Sequence, residues 1–223
     1  MQFIDYADRD LAAMGLADAM ASALKNSLLT HETASLAVPG GTTPGPVFDI
    51  LSAADLAWDW VTVLLTDERW VPEDHERSNA GLIRARLLQN RAAEARFLPY
   101  YRTGMTVPEA CAQLSTEFAP YFPLSLLVLG MGADMHTASL FPGADGLDAA
   151  LRPDAPAVCA ISTDSQPEPR ITLSAPVLNG ALEKHLVIFG DDKKAALENA
   201  KGRAPEDAPI SAVMQGGTVH WAP

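Results

Sequence analysis

Short apolar runs alternate with helix-like segments along this chain, and that alternation limits its possible folds more than any other feature. The most hydrophobic run is LSLLVLGMG, residues 124–132, and it is preceded by ASLAV, residues 34–38, and VTVLLTDERW, residues 61–70. A nearly continuous apolar strand is typical of a sheet position buried on both faces. Strands that alternate with helices predict a largely parallel sheet with helices on both faces.

The other predicted elements continue this alternation. Helices are predicted over 7–29, from Ser78 onward, over 108–119 and after Asp191 and Asp192, and further strands over 157–162, 185–190 and 217–221. The first helix reads as amphipathic, with Leu11, Met14, Ala17, Leu24 and Leu28 at helical spacing. The chain has 223 residues and no internal repeat or clear linker, so we expect residues 1–223 to form one domain.

The charge balance bears on the partners of the protein. The formal net charge is −12, which disfavours nucleic acid as a partner because phosphate-backbone contacts need a basic face. An anionic ligand would have to be captured by a local cluster of Arg, Lys and backbone N–H groups. The sequence shows neither a signal-like N-terminus nor an apolar run of about 18 residues, so we expect no membrane association and a cytoplasmic location.

Two cysteines, Cys111 and Cys159, lack the spacing of a metal site. The simplest interpretation is two buried thiols in a reducing compartment.

Polar loops follow three of the predicted strands: GGTTPG, TDERW and GMGADMHTAS. Ligands of parallel α/β sheets bind beyond the carboxyl ends of the strands. We therefore expect these three loops to meet at one edge of the sheet.

The first of these loops contains Gly40, Gly41, Thr42 and Thr43, where a strand changes into a helix. Glycines let backbone N–H groups approach an anion closely, and the threonine hydroxyls can donate hydrogen bonds. The loop is neither a Walker loop nor a dinucleotide fingerprint. An ordinary turn with a helix cap remains the alternative.

Charged side chains in the other segments are candidates for binding an anion. Asp67 and Arg69 follow a hydrophobic strand, Arg170 precedes a β-like run, and Lys193 stands at the start of a helix, where a cation is unfavourable with the helix dipole. A planar guanidinium suits bidentate contacts to phosphate. Solvated surface charges remain the alternative for all of them.

The third loop carries Asp134 and His136, two residues apart after the most apolar strand. A carboxylate beside an imidazole can orient the ring and stabilise its protonated form, which makes His136 a candidate general base near neutral pH. The other histidines show no metal-ligand spacing to it. No Gly-x-Ser-x-Gly elbow is present, so activation of a water fits these residues better than covalent serine catalysis.

Four blocks in order resemble the 6-phosphogluconolactonase family: PGGTTP, TDERWVP with Ser78 and Asn79, GMGADMHTASLFPG and PRITLSAPVLN. They extend from about residue 34 to about residue 200. The resemblance implies hydrolysis of 6-phospho-D-glucono-1,5-lactone in the oxidative branch of the pentose phosphate pathway. It also implies a three-layer, Rossmann-like α/β fold with a mostly parallel sheet, as in glucosamine-6-phosphate deaminase, ribose-5-phosphate isomerase and CoA transferases, with room for a small β subdomain.

The resemblance also implies roles for individual residues. His136 would activate water and Asp134 would support it. The substrate and its phosphate would be bound by Gly40, Gly41, Thr42, Thr43, Asp67, Arg69, Asn79, Arg170 and Lys193. No metal or organic cofactor is implied, the partner is a small molecule, and a monomer or weak homodimer is expected.

One position departs from the family pattern: Met135 stands where a glycine usually separates the acid from the histidine. A left-handed backbone at Met135 would cost roughly 1–2 kcal/mol. We therefore predict that Met135 has an ordinary conformation and that activity survives.

Two alternatives remain. A glucosamine-6-phosphate deaminase would share the fold, but its family has a glutamate where this chain has Phe141, and an apolar residue cannot transfer a proton. A sugar-phosphate-binding protein without catalysis is the other; such proteins often carry an added DNA-binding domain, and this sequence has no basic patch.

Overall fold

The computed structural model describes residues 1–164 and 166–223 as an α/β structure with two sheets. The strands are β1 (Gln2–Asp5), β2 (Ala34–Val38), β3 (Val61–Leu65), β4 (Asp67–Arg69), β5 (Arg96–Phe97), β6 (Leu126–Leu129), β7 (Val158–Ile161), β8 (Arg170–Leu173), β9 (Glu183–Phe189) and β10 (Thr218–Ala222). The helices are α1 (Arg9–Thr30), α2 (Gly45–Leu51), α3 (Asn79–Arg86), α4 (Val107–Phe118), α5 (Leu147–Leu151), α6 (Ala175–Asn179), α7 (Asp191–Ala200) and α8 (Ile210–Val213).

The larger sheet has seven strands in the order β1-β10-β9-β6-β2-β3-β5, and all neighbouring pairs are parallel. Every residue of β2, β3 and β6 is buried, so helices and loops cover both faces of the sheet at its centre. The predicted fold class is confirmed. Because the strands are parallel, the loops after β2, β3, β6 and β9 all leave from the same edge.

A smaller antiparallel sheet has the order β4-β8-β7 and supplies the small β component that the resemblance implied. Only Thr66 separates the end of β3 from the start of β4, so the chain passes directly from the parallel sheet to the antiparallel one. The apolar run of residues 61–70 breaks at Thr66, as its sequence suggested. In the small sheet Arg69 lies directly opposite Arg170.

The first helix is present, but its buried face differs from the predicted one. Leu11 and Met14 are 47% and 57% exposed, so the prediction that they belong to the buried face was wrong. The buried positions of α1 are instead Ala12, Ala13, Leu16, Ala17, Met20, Ala23 and Leu24. The small alanines on this face let α1 pack closely against α2 and the sheet, between the larger Leu16, Met20 and Leu24.

The helix predicted from Ser78 begins as expected. The Ser78 side chain accepts a hydrogen bond from Gly81 N, which caps α3. At α4 the prediction also holds, with Pro108 in the first turn and a capping box between Thr106 and Glu109.

Cys111 and Cys159 are both buried free thiols, as predicted. Burial raises the pKa of Cys111 to about 12 and that of Cys159 to about 11. Both side chains are therefore thiols at neutral pH, and neither has the thiolate character of a reactive cysteine.

A chain of hydrogen bonds links buried histidines on neighbouring strands β9 and β10. Tyr6 Oη lies 2.9 Å from His220 Nδ1, His220 Nε2 lies 2.9 Å from His185 Nδ1, and His185 Nε2 lies 3.0 Å from Glu183 Oε1. With the carboxylate accepting at one end, both rings are satisfied in their neutral forms. Burial lowers the pKa of His220 to about 4 and also lowers that of His185, although Glu183 opposes the latter shift.

None of the helices in the described ranges is both long and apolar enough to cross a membrane.

Candidate active site

A cavity of about 480 Å³ opens at the carboxyl edge of the parallel sheet, and most of the predicted site residues line it. They are Gly40, Gly41, Thr43, Asp67, Arg69, Asn79, His136, Arg170 and Lys193. The three loops therefore meet, as the strand order predicted. Thr42 and Asp134 are not part of the lining: Thr42 is exposed, and Asp134 lies behind His136.

His136 is held by its own loop. Its Nδ1 lies 2.5 Å from Asp134 Oδ1, its backbone N donates to the same oxygen at 3.3 Å, and its carbonyl accepts from Gly132 N at 2.9 Å. With the carboxylate as acceptor, the proton of a neutral ring sits on Nδ1. Nε2 is then the basic nitrogen of an imidazole that lines the cavity.

The environment of Asp134 favours its ionised carboxylate form beside this ring. Partial burial raises the pKa of its carboxyl group, but the charge and hydrogen bonds of His136 outweigh that effect, so the pKa lies below its ordinary value. A carboxylate at Nδ1 fixes the tautomer and leaves Nε2 as the nitrogen without a proton.

Met135 adopts a left-handed backbone conformation, with φ of 66°, so the prediction of an ordinary conformation was wrong. Its N–H donates to Gly132 O at 3.0 Å and its carbonyl accepts from Ile210 N at 3.2 Å. The side chain packs against the hydrophobic core. These contacts close the tight turn that presents His136, and together they outweigh a steric cost of roughly 1–2 kcal/mol.

The Phe141 ring contacts both His136 and the buried Arg170. Its ring centroid is 4.4 Å from that of His136, at an interplanar angle of 37°. The Arg170 guanidinium carbon is 5.6 Å from the centroid of the same ring. The position that would carry a glutamate in the deaminases is thus a buried apolar contact in this chain.

Arg170 and Asp67 form a buried ion pair in the cavity wall, with Nη1 and Oδ2 separated by 3.6 Å. Asp67 is held by further hydrogen bonds from Thr66 Oγ1 at 3.0 Å and Ser139 Oγ at 2.6 Å. Burial lowers the pKa of Arg170, as does the charge of Arg69, while Asp67 opposes the shift. The Asp67 carboxylate is thus already bound by donors of the protein itself.

Positive charge exceeds negative charge in this wall. Arg69 faces Arg170 across the β4–β8 ladder, and like charges in directly opposite positions are unfavourable. Arg69 donates from Nη1 to Arg77 O at 2.6 Å, and no carboxylate among the described residues pairs with it. The Nε atoms of Arg69 and Arg170 are both buried without a partner. An anion in the cavity would relieve this excess.

Glu68, which the sequence suggested only as part of a charged loop, is a buried structural anchor. Its carboxylate accepts hydrogen bonds at 2.7 Å from the backbone N–H groups of Arg69, Asn79 and Ala80. Burial raises its pKa, and these hydrogen bonds act in the opposite direction. Glu68 thereby ties β4 to the start of α3.

That anchor places Asn79 in the cavity. Its Nδ2 donates to Asp67 O at 2.8 Å, and its side chain lies directly against Gly40, where any Cβ would overlap it. A glycine is therefore required at position 40 by space alone. The first two loops are joined at this contact.

Lys193 extends from the first turn of α7 to the end of the central strand, where Nζ donates to Met131 O at 2.7 Å. The ammonium group is therefore fixed at the cavity wall.

Arg9 also lines the cavity, although no motif in the sequence predicted it there. It is the first residue of α1, which follows β1 at the carboxyl edge of the sheet. The signal was available in principle, because recognising QFID as a parallel strand would have placed the next loop at the same edge. A four-residue strand at the edge of a sheet has too little apolar pattern to be recognised.

No group of three or more His, Cys, Asp and Glu side chains is arranged to hold a metal ion in the described part of the chain.

Comparison with known proteins connects this site to a family. Residues 7–221 match the family described as glucosamine-6-phosphate isomerases/6-phosphogluconolactonase. A 6-phosphogluconolactonase from Mesorhizobium japonicum is 42% identical over 98% of this chain and 94% of its own. One from Pseudomonas aeruginosa is 42% identical over 95% and 90%. The crystal structure of a 6-phosphogluconolactonase from Shewanella baltica superposes with a TM-score of 0.94 at 31% identity, covering 100% of this chain and 98% of that one.

Proposed function

The chain belongs to the glucosamine-6-phosphate isomerase/6-phosphogluconolactonase family, and we propose how its cavity carries out the lactonase reaction. It hydrolyses 6-phospho-D-glucono-1,5-lactone to 6-phospho-D-gluconate, in the oxidative branch of the pentose phosphate pathway. The observation that carries the proposed mechanism is the Asp134–His136 hydrogen bond of 2.5 Å at the wall of a cavity with excess positive charge.

His136 is the general base. A lactone carbonyl is already electrophilic, so one activated water is enough. Nε2 takes a proton from the water as its oxygen attacks C1, which gives a tetrahedral intermediate and an imidazolium. The C1–O5 bond then breaks, and the imidazolium returns the proton to O5, which leaves as an alcohol. Atoms and charges balance over the cycle, apart from the later ionisation of the new acid.

Asp134 supports this cycle from the far side of the ring. Its carboxylate holds Nδ1–H, so Nε2 faces the reaction, and it stabilises the imidazolium between the two proton transfers. The oxyanion that forms at C1 needs donors already in place, and the backbone N–H groups of residues 40–41 and 130–131 are the candidates in this cavity, since the Gly132 N–H already donates to His136 O.

Arg69, Arg170 and Lys193 bind the phosphate. The two arginines face each other across β4 and β8 and only Arg170 is paired with a carboxylate, that of Asp67, so a dianion is favoured there electrostatically. A guanidinium can also form two parallel hydrogen bonds to phosphate oxygens. Thr43 and the N–H groups of Gly40 and Gly41 complete the pocket from the opposite loop.

Phe141 argues against the deaminase alternative. Its ring packs on His136, where the deaminase family places a glutamate, and a phenyl ring transfers no proton. We expect no ammonia release when glucosamine 6-phosphate is supplied. Ammonia release at a rate comparable to lactone hydrolysis would overturn the lactonase assignment.

The mechanism is tested with His136→Asn. Hydrolysis of freshly generated lactone, followed by pH-stat against the spontaneous rate, should fall to the background level. Binding of 6-phosphogluconate, measured by calorimetry, should persist, because the phosphate pocket is intact. The matched control is His31→Asn, an exposed histidine outside the cavity, which should hydrolyse at the unchanged rate. Turnover unchanged by His136→Asn would mean that the base is another residue.

We also propose that the protein acts in the cytoplasm as a monomer or weak homodimer. Two buried free thiols suit a reducing compartment such as the cytoplasm.

A further inference from the structure

We propose that Arg9 is a further substrate-binding residue, which attracts the anionic phosphate of the substrate at the mouth of the cavity. This proposal rests on the proposed hydrolysis of a sugar phosphate, and it assigns to Arg9 a role in binding and none in the chemical step.

Two contacts hold Arg9 in place although it is exposed. Its Nε donates to Pro223 O at 3.0 Å, and its guanidinium carbon lies 5.3 Å from the centroid of the Phe189 ring. Phe189 ends β9, the strand beside the central one, and lines the same cavity. Arg9 thus joins α1 to the edge where the substrate enters.

Three of the cations that line the cavity lack a carboxylate partner in the described part of the chain, whereas Arg170 is paired with Asp67. Among the described residues, Arg9, Arg69 and Lys193 form no ion pair with a side-chain carboxylate, although the chain carries 28 acidic residues against 16 basic ones. Most arginines outside the cavity do form such pairs, as Arg86 does with Asp49, although Arg96 and Arg203 form none among the described residues. Cations left unpaired in so acidic a chain are available to an anionic ligand.

The immediate neighbours of Arg9 make its charge matter more. Asp8 caps α1 through its bond to Leu11 N, and Asp10 follows in the first turn. Without Arg9 the start of α1 would present only negative charge beside the cavity. Added to a net charge of −12, that would repel a phosphate dianion.

A charge at the rim acts on the bound substrate and on the transition state alike, because the phosphate keeps its charge through the reaction. Uniform stabilisation of this kind changes KM and leaves kcat unaltered. It is also screened by salt, since the Debye length is about 8 Å at physiological ionic strength. These two properties distinguish Arg9 from a residue that acts on the chemistry.

The experiment compares Arg9→Gln with Arg203→Gln, which removes the same charge from an exposed site outside the cavity. At about 20 mM salt we expect Arg9→Gln to raise KM roughly three- to tenfold with kcat unchanged, and the difference to shrink below about twofold at 500 mM salt. Arg203→Gln should match the unchanged protein in both conditions. Arg9→Lys, which keeps the charge, should retain a KM close to the original.

The proposal is wrong if Arg9→Gln and Arg203→Gln have equal KM values at low salt, if Arg9→Gln lowers kcat alone, or if Arg9→Lys is as impaired as Arg9→Gln. Calorimetric binding of 6-phosphogluconate, which needs no turnover, is measured on the same proteins. A chain that binds the product through Arg9 but does not hydrolyse the lactone would refute the proposed function and leave the role of Arg9 standing.

Discussion

Replacing Met135 by glycine and by alanine tests whether the loop that presents His136 stores backbone strain. The φ of Met135 is 66°, in a region that L-residues avoid because Cβ approaches the following carbonyl oxygen. Both substitutions remove the same half-buried side chain beyond Cβ. The difference between the two variants therefore isolates the effect of Cβ itself.

The magnitude follows from two opposing contributions. At an ordinary φ, alanine is more stable than glycine by about 0.4–1 kcal/mol, because glycine gains more freedom in the unfolded chain. At a left-handed φ, the Cβ of alanine costs roughly 1–2 kcal/mol in the folded state. The sum makes the glycine variant the more stable of the two by about 1 kcal/mol. For a chain of 223 residues that corresponds to roughly 2–4 °C in Tm.

The measurement is thermal unfolding followed by circular dichroism, supported by urea denaturation. Met105 gives a matched control, because it is a partly exposed methionine outside the helices and strands whose φ is not positive. There the order should reverse, with Met105→Ala more stable than Met105→Gly.

If the free energy of unfolding of Met135→Ala equals or exceeds that of Met135→Gly, the backbone at Met135 is not strained. We also expect Met135→Gly to hydrolyse the lactone at close to the original rate, because the contacts of His136 to Asp134 and Gly132 do not use the Met135 side chain. A large loss of kcat in that variant would show that the strain itself serves catalysis.

Two further predictions concern space and protonation. Gly132→Ala should lower kcat about a hundredfold, with KM little changed, because the new Cβ would overlap both His136 and Asp134. Gly180→Ala, at the end of α6 and outside the cavity, should keep its kcat. The folded pKa of His220, about 4, lies below its unfolded value, so the unfolded chain binds the proton first as the pH falls. Lowering the pH from 6.5 to 4 should therefore reduce the free energy of unfolding by about 3 kcal/mol through His220 alone. In His220→Gln, urea denaturation across that range should show a pH slope smaller by up to about one proton, and an equal slope would contradict the argument.

Much of the site could be predicted because each strand and loop that forms it can be recognised from its own sequence. The runs ASLAV and LLVL are long and apolar enough to be recognised as central parallel strands. Parallel strands place their following loops at one edge, so His136 and Arg69 could be brought together without any knowledge of packing. The four blocks of family resemblance assigned the chemistry to that edge.

Other features depend on contacts between distant segments. Asp67 was predicted to contact substrate, and the structure places it at the cavity but holds it with Ser139 and Arg170, a pairing that joins β4, β8 and the histidine loop. No local pattern contains that information.

The sequence by itself determined the parallel sheet and the edge where the candidate site residues gather, because hydrophobic periodicity and short motifs report on one segment at a time. Only the tertiary structure decided the left-handed turn at Met135, which a bond from Ile210 helps to hold. It also decided the place of Arg9, which reaches the cavity because β1 pairs with β10 at the other end of the chain. Both depend on contacts between residues far apart in the sequence. The energy of such contacts can exceed a local backbone preference of about 1–2 kcal/mol.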